Sequence, residues 1–73
     1  MKIAILGLGA YGIALAKAFY ENDNKVSMWT KYKEEADIVL LKRENINVLP
    51  SIKIPKEIEI TTQLEKCMEK ARI

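Results

Sequence analysis

Histidine is absent from this sequence, and cysteine occurs once, at Cys67. Without an imidazole the chain lacks the commonest general acid/base near neutral pH and the commonest nitrogen ligand for metals. No cluster of carboxylates takes its place, so no metal site is expected. One cysteine cannot close an intrachain disulfide, which excludes a secreted disulfide framework and fits a reducing, cytoplasmic setting. Charge of one sign is missing too: twelve basic and ten acidic residues are mixed along the chain, for a net charge of +2. No basic block or arm results, so nucleic acid is not an expected partner. The uncharged run Ile3–Ala16 is fourteen residues long, too short for a membrane span of about 20. Behind Met1-Lys2 it resembles a signal-peptide core, with Ala14-Leu15-Ala16 as a cleavage site. Regularly spaced glycines inside that run, and no cysteine pairs after it, argue against this, and no targeting segment is assumed.

What remains is an ordinary globular balance, 49% hydrophobic and 30% charged over 73 residues. A single core of this size rarely stabilises a chain by more than about 3–5 kcal/mol. The three glycines fall together as Gly7-Leu8-Gly9-Ala10-Tyr11-Gly12, in G-x-G-x-x-G spacing. An apolar strand-like run enters the motif and a helix-like run leaves it, the context in which the pattern has a mechanism. The first glycine permits the tight turn, the second lets a pyrophosphate approach the backbone, and the third lets helix and strand pack closely. Phosphate charge then meets free N–H groups at the positive end of the helix dipole.

In chain order, Lys2–Leu6 reads as a parallel strand buried on both faces. Ala10 to about Glu21 reads as a helix whose broad apolar face includes Ile13, Ala14, Ala16, Ala18 and Phe19. Asn22-Asp23-Asn24 ends it, asparagine tolerating the left-handed conformation usually left to glycine. Lys25–Trp29 is a second strand. Lys31 to about Glu44 is a second helix, with Ala36, Val39, Leu40 and Arg43 at helical spacing and Glu34-Glu35 near its positive end. Asn45–Lys56 is an ordered connection punctuated by Pro50 and Pro55. Glu57–Thr61 alternates charge and isoleucine as a short strand. Thr62–Arg72 is a helix opened by a Thr62-x-x-Glu65 capping box, with Leu64, Cys67, Met68 and Ala71 along one face. Cys67 in that stripe reads as a packed thiol. The order β-α-β-α-β-α predicts right-handed crossovers and a parallel sheet: an α/β fold, part of a Rossmann domain, ending before a fourth strand.

The end of the second strand bears on the cofactor. NAD sites usually place a carboxylate there to accept from the ribose 2′-hydroxyl. This chain has Trp29-Thr30-Lys31, with Lys33 beyond. A lysine neutralises a 2′-phosphate where a carboxylate would repel it, which favours NADP, with NAD still possible. The alternative for Lys31 and Lys33 is a pair of solvated charges at a helix start. Trp29 reads as core or as a flank to an adenine.

The chain also resembles the N-terminal part of the bacterial NAD(P)-dependent glycerol-3-phosphate dehydrogenases. Gly7-Leu8-Gly9-Ala10-Tyr11-Gly12-Ile13-Ala14-Leu15-Ala16 and Met28-Trp29 are similar to that family's opening, which ketopantoate reductases and 6-phosphogluconate dehydrogenase relatives share in part. Arg43-Glu44-Asn45, Leu49-Pro50-Ser51-Ile52, Ile54-Pro55, Ile58 and Thr61 resemble the more specific run that follows. The resemblance implies reduction of dihydroxyacetone phosphate to glycerol 3-phosphate, a phospholipid precursor, by hydride transfer from a nicotinamide cofactor. It implies that the backbone around Ala10 and Tyr11 contacts the pyrophosphate and that Lys31 meets the adenosine 2′-phosphate; with Gly7, Gly9 and Gly12 of the fingerprint these are the expected cofactor-binding residues. Ala10 for serine, Ser51 for glycine, Val48 for an aromatic and Gln63 for aspartate are departures. The family's catalytic lysines and helical substrate domain fall past residue 73, so the 73 residues are expected to bind cofactor without turnover. A non-catalytic remnant is the competing expectation. With no fourth strand, Lys2–Leu6 becomes an exposed edge, and self-association through it is expected.

Overall fold

Val26, Ser27 and Met28 are all buried because their strand, β2 (Lys25–Trp29), has a neighbour on each side. The computed structural model describes residues 1–46, 52–69 and 71. Val48, Leu49, Pro50, Ser51, Arg72 and Ile73, which figure in the expectations above, lie outside the described residues. Within them the order is β1 (Lys2–Leu6), α1 (Ala10–Glu21), β2, α2 (Lys33–Lys42), β3 (Glu59–Thr61) and α3 (Leu64–Met68). Both pairings are parallel and the sheet order is β1-β2-β3, with Leu6 opposite Trp29 and Trp29 opposite Thr61. The α/β, partial Rossmann reading therefore stands.

Alternation along β2 turns Val26 and Met28 to one face and Ser27 to the other. On the Met28 face, Ile13 and Ala16 of α1 and Ala36 and Val39 of α2 join Val26, Met28 and Ile60 in one core, which Leu8, Ile54 and Ile58 complete from the loops. Each fully buried side chain of this size contributes about 1.5–3 kcal/mol. On the Ser27 face lies α3: buried Cys67 donates its S–H to the Ser27 carbonyl at 3.5 Å. The packed thiol is thus where the sequence placed it.

Several boundaries move for local reasons. β1 is buried on both faces only at Ile3 and Ala4. Ile5 is half-buried and Leu6 is 47% exposed, because β1 is the edge of the described sheet. In α1 the buried face narrows to Ile13 and Ala16. At its end Asp23, not an asparagine, takes the left-handed conformation (φ 66°). The amides of Asn22 and Asn24 donate instead to the carbonyls of Ala18 and Phe19, satisfying the end of the helix. α2 starts at Lys33, not Lys31, since the Thr30 hydroxyl accepts the Tyr32 N–H at 3.2 Å and keeps that turn out of the helix. It ends at Arg43, whose φ of 53° turns the chain away, so Glu44 is not helical and Leu40 faces solvent.

β3 starts at Glu59 because the Ile58 N–H closes a turn onto the Pro55 carbonyl at 3.1 Å. The capping box of α3 does not form. Thr61 Oγ1 accepts the Gln63 N–H at 3.0 Å, Gln63 becomes the cap position, and no side chain caps the helix. Leu64 is consequently exposed, while Cys67 remains the buried residue of α3.

Candidate functional site

The glycine-rich loop leaves the sheet at the carboxyl end of β1 and enters α1 at Ala10. It is pinned there by the Gly7 N–H, which donates to the Trp29 carbonyl at 2.6 Å and continues the β1–β2 register one step past the strand. Gly7 then takes φ 124°, a conformation that side chains rarely permit. Gly9 caps α1 with extended backbone and no side chain. The helix's first internal bond runs from Ile13 N–H to the Gly9 carbonyl. The N–H groups of Ala10, Tyr11 and Gly12 precede it and lack helical partners. They carry the positive end of the α1 dipole.

A cleft of about 570 Å³ opens at this point, and Gly7, Gly9, Ala10, Tyr11 and Gly12 all line it together with Ile5. The structure thus brings five of the six expected site residues together. A β-carbon on Gly9 would meet nothing within 4 Å among the described residues, so the second glycine faces away from them. At Gly12 the opposite holds, with Ile5 Cγ2 at 3.2 Å and the Gly7 carbonyl oxygen at 3.4 Å from the same construction. Tyr11 is 79% exposed. Among the described residues no acidic side chain lines the cleft. Among the described residues, open space at Gly9, N–H groups at the start of α1 that precede its first internal bond, and a lining without negative charge fit a pyrophosphate.

Lys31 stands apart from that lining, on the loop joining β2 to α2. Its ammonium lies 5.2 Å from the centre of the exposed Tyr32 ring, a cation–π contact of about 0.5–1 kcal/mol at such a site. Lys33, by contrast, pairs with Asp37 at 3.0 Å within α2. Among the described residues Lys31 makes no ion pair, so of the two lysines it is the one with its charge to spare. Trp29 is half-buried and its ring N–H donates to the Thr62 carbonyl at 3.0 Å, fastening it to the β3–α3 turn.

Three polar residues behind this loop were not among the expected site residues. Thr30 and Asn45 are buried, and Glu35 is half-buried. Thr30 Oγ1 donates to Glu35 Oε1 at 2.7 Å, and Asn45 Nδ2 donates to Glu35 Oε2 at 3.2 Å and to the Leu8 carbonyl at 2.8 Å. In the sequence Asn45 stood out only within the Arg43-Glu44-Asn45 segment of the family resemblance, and Glu35 only as a charge near the start of α2.

The perturbed titrating groups lie elsewhere. Near the amino-terminal ends of the strands, Tyr20 donates to Glu57 at 3.0 Å, which raises the phenol and helps lower the carboxyl, the latter held down first by a backbone N–H. A second cleft there, of about 320 Å³, is lined by Lys2, Lys25 and these two side chains.

A parallel sheet with a glycine-rich turn between its first strand and first helix defines the nucleotide-binding portion of a doubly wound α/β protein. The sequence matches the family described as NAD-dependent glycerol-3-phosphate dehydrogenase N-terminus over residues 2–73. The chain belongs to that family. Among curated relatives, the glycerol-3-phosphate dehydrogenase [NAD(P)+] of Pelotomaculum thermopropionicum is 37% identical over 71 residues, covering 97% of this chain and 20% of the relative. That of Fusobacterium nucleatum is 33% identical over 69 residues, covering 94% of this chain and 21% of the relative. The crystal structure of glycerol-3-phosphate dehydrogenase from Coxiella burnetii superposes with a TM-score of 0.87 at 28% identity, over 96% of this chain and 22% of that one. The chain therefore spans about a fifth of the length of the proteins it matches. No helix among the described residues is long and apolar enough to cross a membrane.

Proposed function

We propose that residues 1–73 form the N-terminal part of the NAD(P)-binding domain of a cytoplasmic glycerol-3-phosphate dehydrogenase, which interconverts dihydroxyacetone phosphate and glycerol 3-phosphate. The observation that carries this reading is, among the described residues, the open space at Gly9 beside the N–H groups of Ala10, Tyr11 and Gly12, which precede the first helical hydrogen bond. The pyrophosphate rests on that first turn of α1, with Gly7 and Gly12 shaping the approach. Bound there, the cofactor supplies a hydride. Lys31 faces the adenosine 2′-phosphate and makes NADP the better ligand, NAD remaining accepted. Among the described residues none is placed to move a proton to a substrate carbonyl, and on this reading the chain binds cofactor without oxidising it. Among the described residues β1 is paired on one side only, with Leu6 exposed at its end; self-association through that edge is the accompanying proposal, and sedimentation across a concentration series checks it.

Fluorescence titration with NADPH and NADH tests the main reading. Binding of both, tighter for NADPH, is expected. Lys31→Ala lowers NADPH affinity about tenfold, the scale of one charge-assisted contact, and leaves NADH unchanged. Binding of neither dinucleotide would favour a remnant that only associates.

A further inference from the structure

A trans peptide points its C=O and its N–H in opposite directions, and no peptide bond among the described residues is cis. The orientation of the Leu8–Gly9 peptide is therefore decided by whatever holds the Leu8 carbonyl. That carbonyl is turned inward onto the buried amide of Asn45, at 2.8 Å. The Gly9 N–H is consequently turned outward, on the side where none of the described residues stands within 4 Å of a β-carbon built on Gly9. Asn45 reaches the loop from 37 residues away in sequence, and its own orientation is fixed by chemistry. Both partners of Nδ2, a carbonyl and a carboxylate, are acceptors only, so the amide must present its hydrogens to them.

Glu35 extends the same device to the other loop. One carboxylate oxygen accepts from Asn45 and the other from the Thr30 hydroxyl, which in turn accepts the Tyr32 N–H. An unbroken chain of hydrogen bonds thus runs from the glycine-rich loop to the turn that carries Lys31. We infer that Asn45 is a positioning residue for the cofactor site: it locks the Leu8–Gly9 peptide with the Gly9 N–H facing the pyrophosphate, and through Glu35 and Thr30 holds the Lys31 turn in register with it. The inference rests on the dinucleotide reading above. Its chemistry concerns the diphosphate, which both dinucleotides share, and so differs in its effect from Lys31.

Titration of the ¹⁵N-labelled chain with inorganic pyrophosphate, followed at the Gly9 amide, and with NADPH and NADH tests it. In the wild-type chain the Gly9 amide resonance moves on adding pyrophosphate. Asn45→Ala abolishes that movement and lowers affinity for NADPH and NADH alike, about tenfold. Val39→Ala, a core truncation away from the hydrogen-bond chain, serves as a control of matched stability and keeps both the movement and the affinity. Should Asn45→Ala fail to fold, Glu35→Ala and Glu35→Gln decide. The alanine variant loses affinity, while glutamine restores it to within threefold, since the Thr30 hydroxyl can switch from donor to acceptor. Equal loss in Asn45→Ala and Val39→Ala, or an unchanged Gly9 response in Asn45→Ala, overturns the inference. If the wild-type chain binds neither dinucleotide, the parent reading fails, and the pyrophosphate response alone judges the role of Asn45.

Discussion

A β-carbon on Gly12 would stand 3.2 Å from Cγ2 of Ile5, so α1 approaches β1 as closely as a hydrogen side chain allows. Two effects oppose each other in Gly12→Ala. Alanine is favoured over glycine inside a helix by about 1 kcal/mol, whereas an extra carbon in a filled space costs about 1–3 kcal/mol. Ile5 is half-buried at the sheet edge and can give way. The Gly7 carbonyl oxygen, at 3.4 Å, is at ordinary van der Waals distance, so the cost lies in displacing Ile5 from its packing. A net loss of about 1 kcal/mol is expected from urea unfolding, shrinking toward zero when Ile5→Ala is made alongside. A Gly12→Ala chain more stable than wild type would refute this packing role.

The other two glycines separate stability from binding. At Gly9 the backbone is extended (φ −74°, ψ 171°) and open. Gly9→Ala should therefore leave the unfolding free energy within about 0.5 kcal/mol. The added methyl group occupies the approach of the pyrophosphate, and dinucleotide affinity should drop at least about tenfold. Gly7→Ala should behave in the reverse sense. Its φ of 124° strains any side chain, at about 1–3 kcal/mol, so its first symptom is a lowered melting temperature. Equal effects of the two substitutions on melting would contradict this division.

Those two glycines also mark how far the sequence could be read. Apolar runs and glycine spacing are local signals, and they were enough for the order and type of the six elements and the parallel sheet, though not for every boundary. Contacts that depend on distant partners were not legible. Nothing near Asn45 in sequence reveals that its amide will meet the Leu8 carbonyl, and Arg43 reads as a helix-end cation until Pro55 and Ile58 are folded beneath it. Local signals also compete. Thr61 and Thr62 are adjacent hydroxyls, and the turn made by Thr61 displaced the capping box that Thr62 seemed to announce.

Ser27 and Glu59 give the fold a pH dependence. The buried Ser27 hydroxyl donates to Glu59 Oε1 at 2.7 Å. That bond first, and Lys66 at 3.4 Å second, hold the Glu59 carboxyl below the usual carboxylate range against the opposing effect of burial. A carboxyl lowered by folding adds stability that is present above its unfolded pKa and fades as pH falls through the folded value. Ser27→Ala should cost about 1 kcal/mol at pH 7, the low end being appropriate to a partly exposed carboxylate. The difference from wild type should narrow as pH is taken below about 4. Guanidinium melts at a series of pH values measure it, and a difference that widens in acid would sink the assignment.

Arg43 joins the end of α2 to the segment leading into β3. Its Nη2 donates to the carbonyls of Pro55 at 2.6 Å and Ile58 at 2.7 Å, while the Ile54 N–H donates to the carbonyl of Arg43 itself at 2.6 Å. Partial burial lowers the guanidinium pKa, which the Glu57 charge opposes; no accessible pH removes the proton. Arg43→Ala leaves two carbonyls without their donor and should cost about 2–3 kcal/mol. The backbone supplies a second, separable effect, because φ at this position is 53° and a left-handed residue with a β-carbon carries about 1 kcal/mol of strain. Arg43→Gly loses the same hydrogen bonds but relieves that strain. It should therefore unfold at a higher urea midpoint than Arg43→Ala, an inversion of the order that side-chain size alone would give. Equal midpoints would mean that the hydrogen bonds, and not the turn, fix the end of α2.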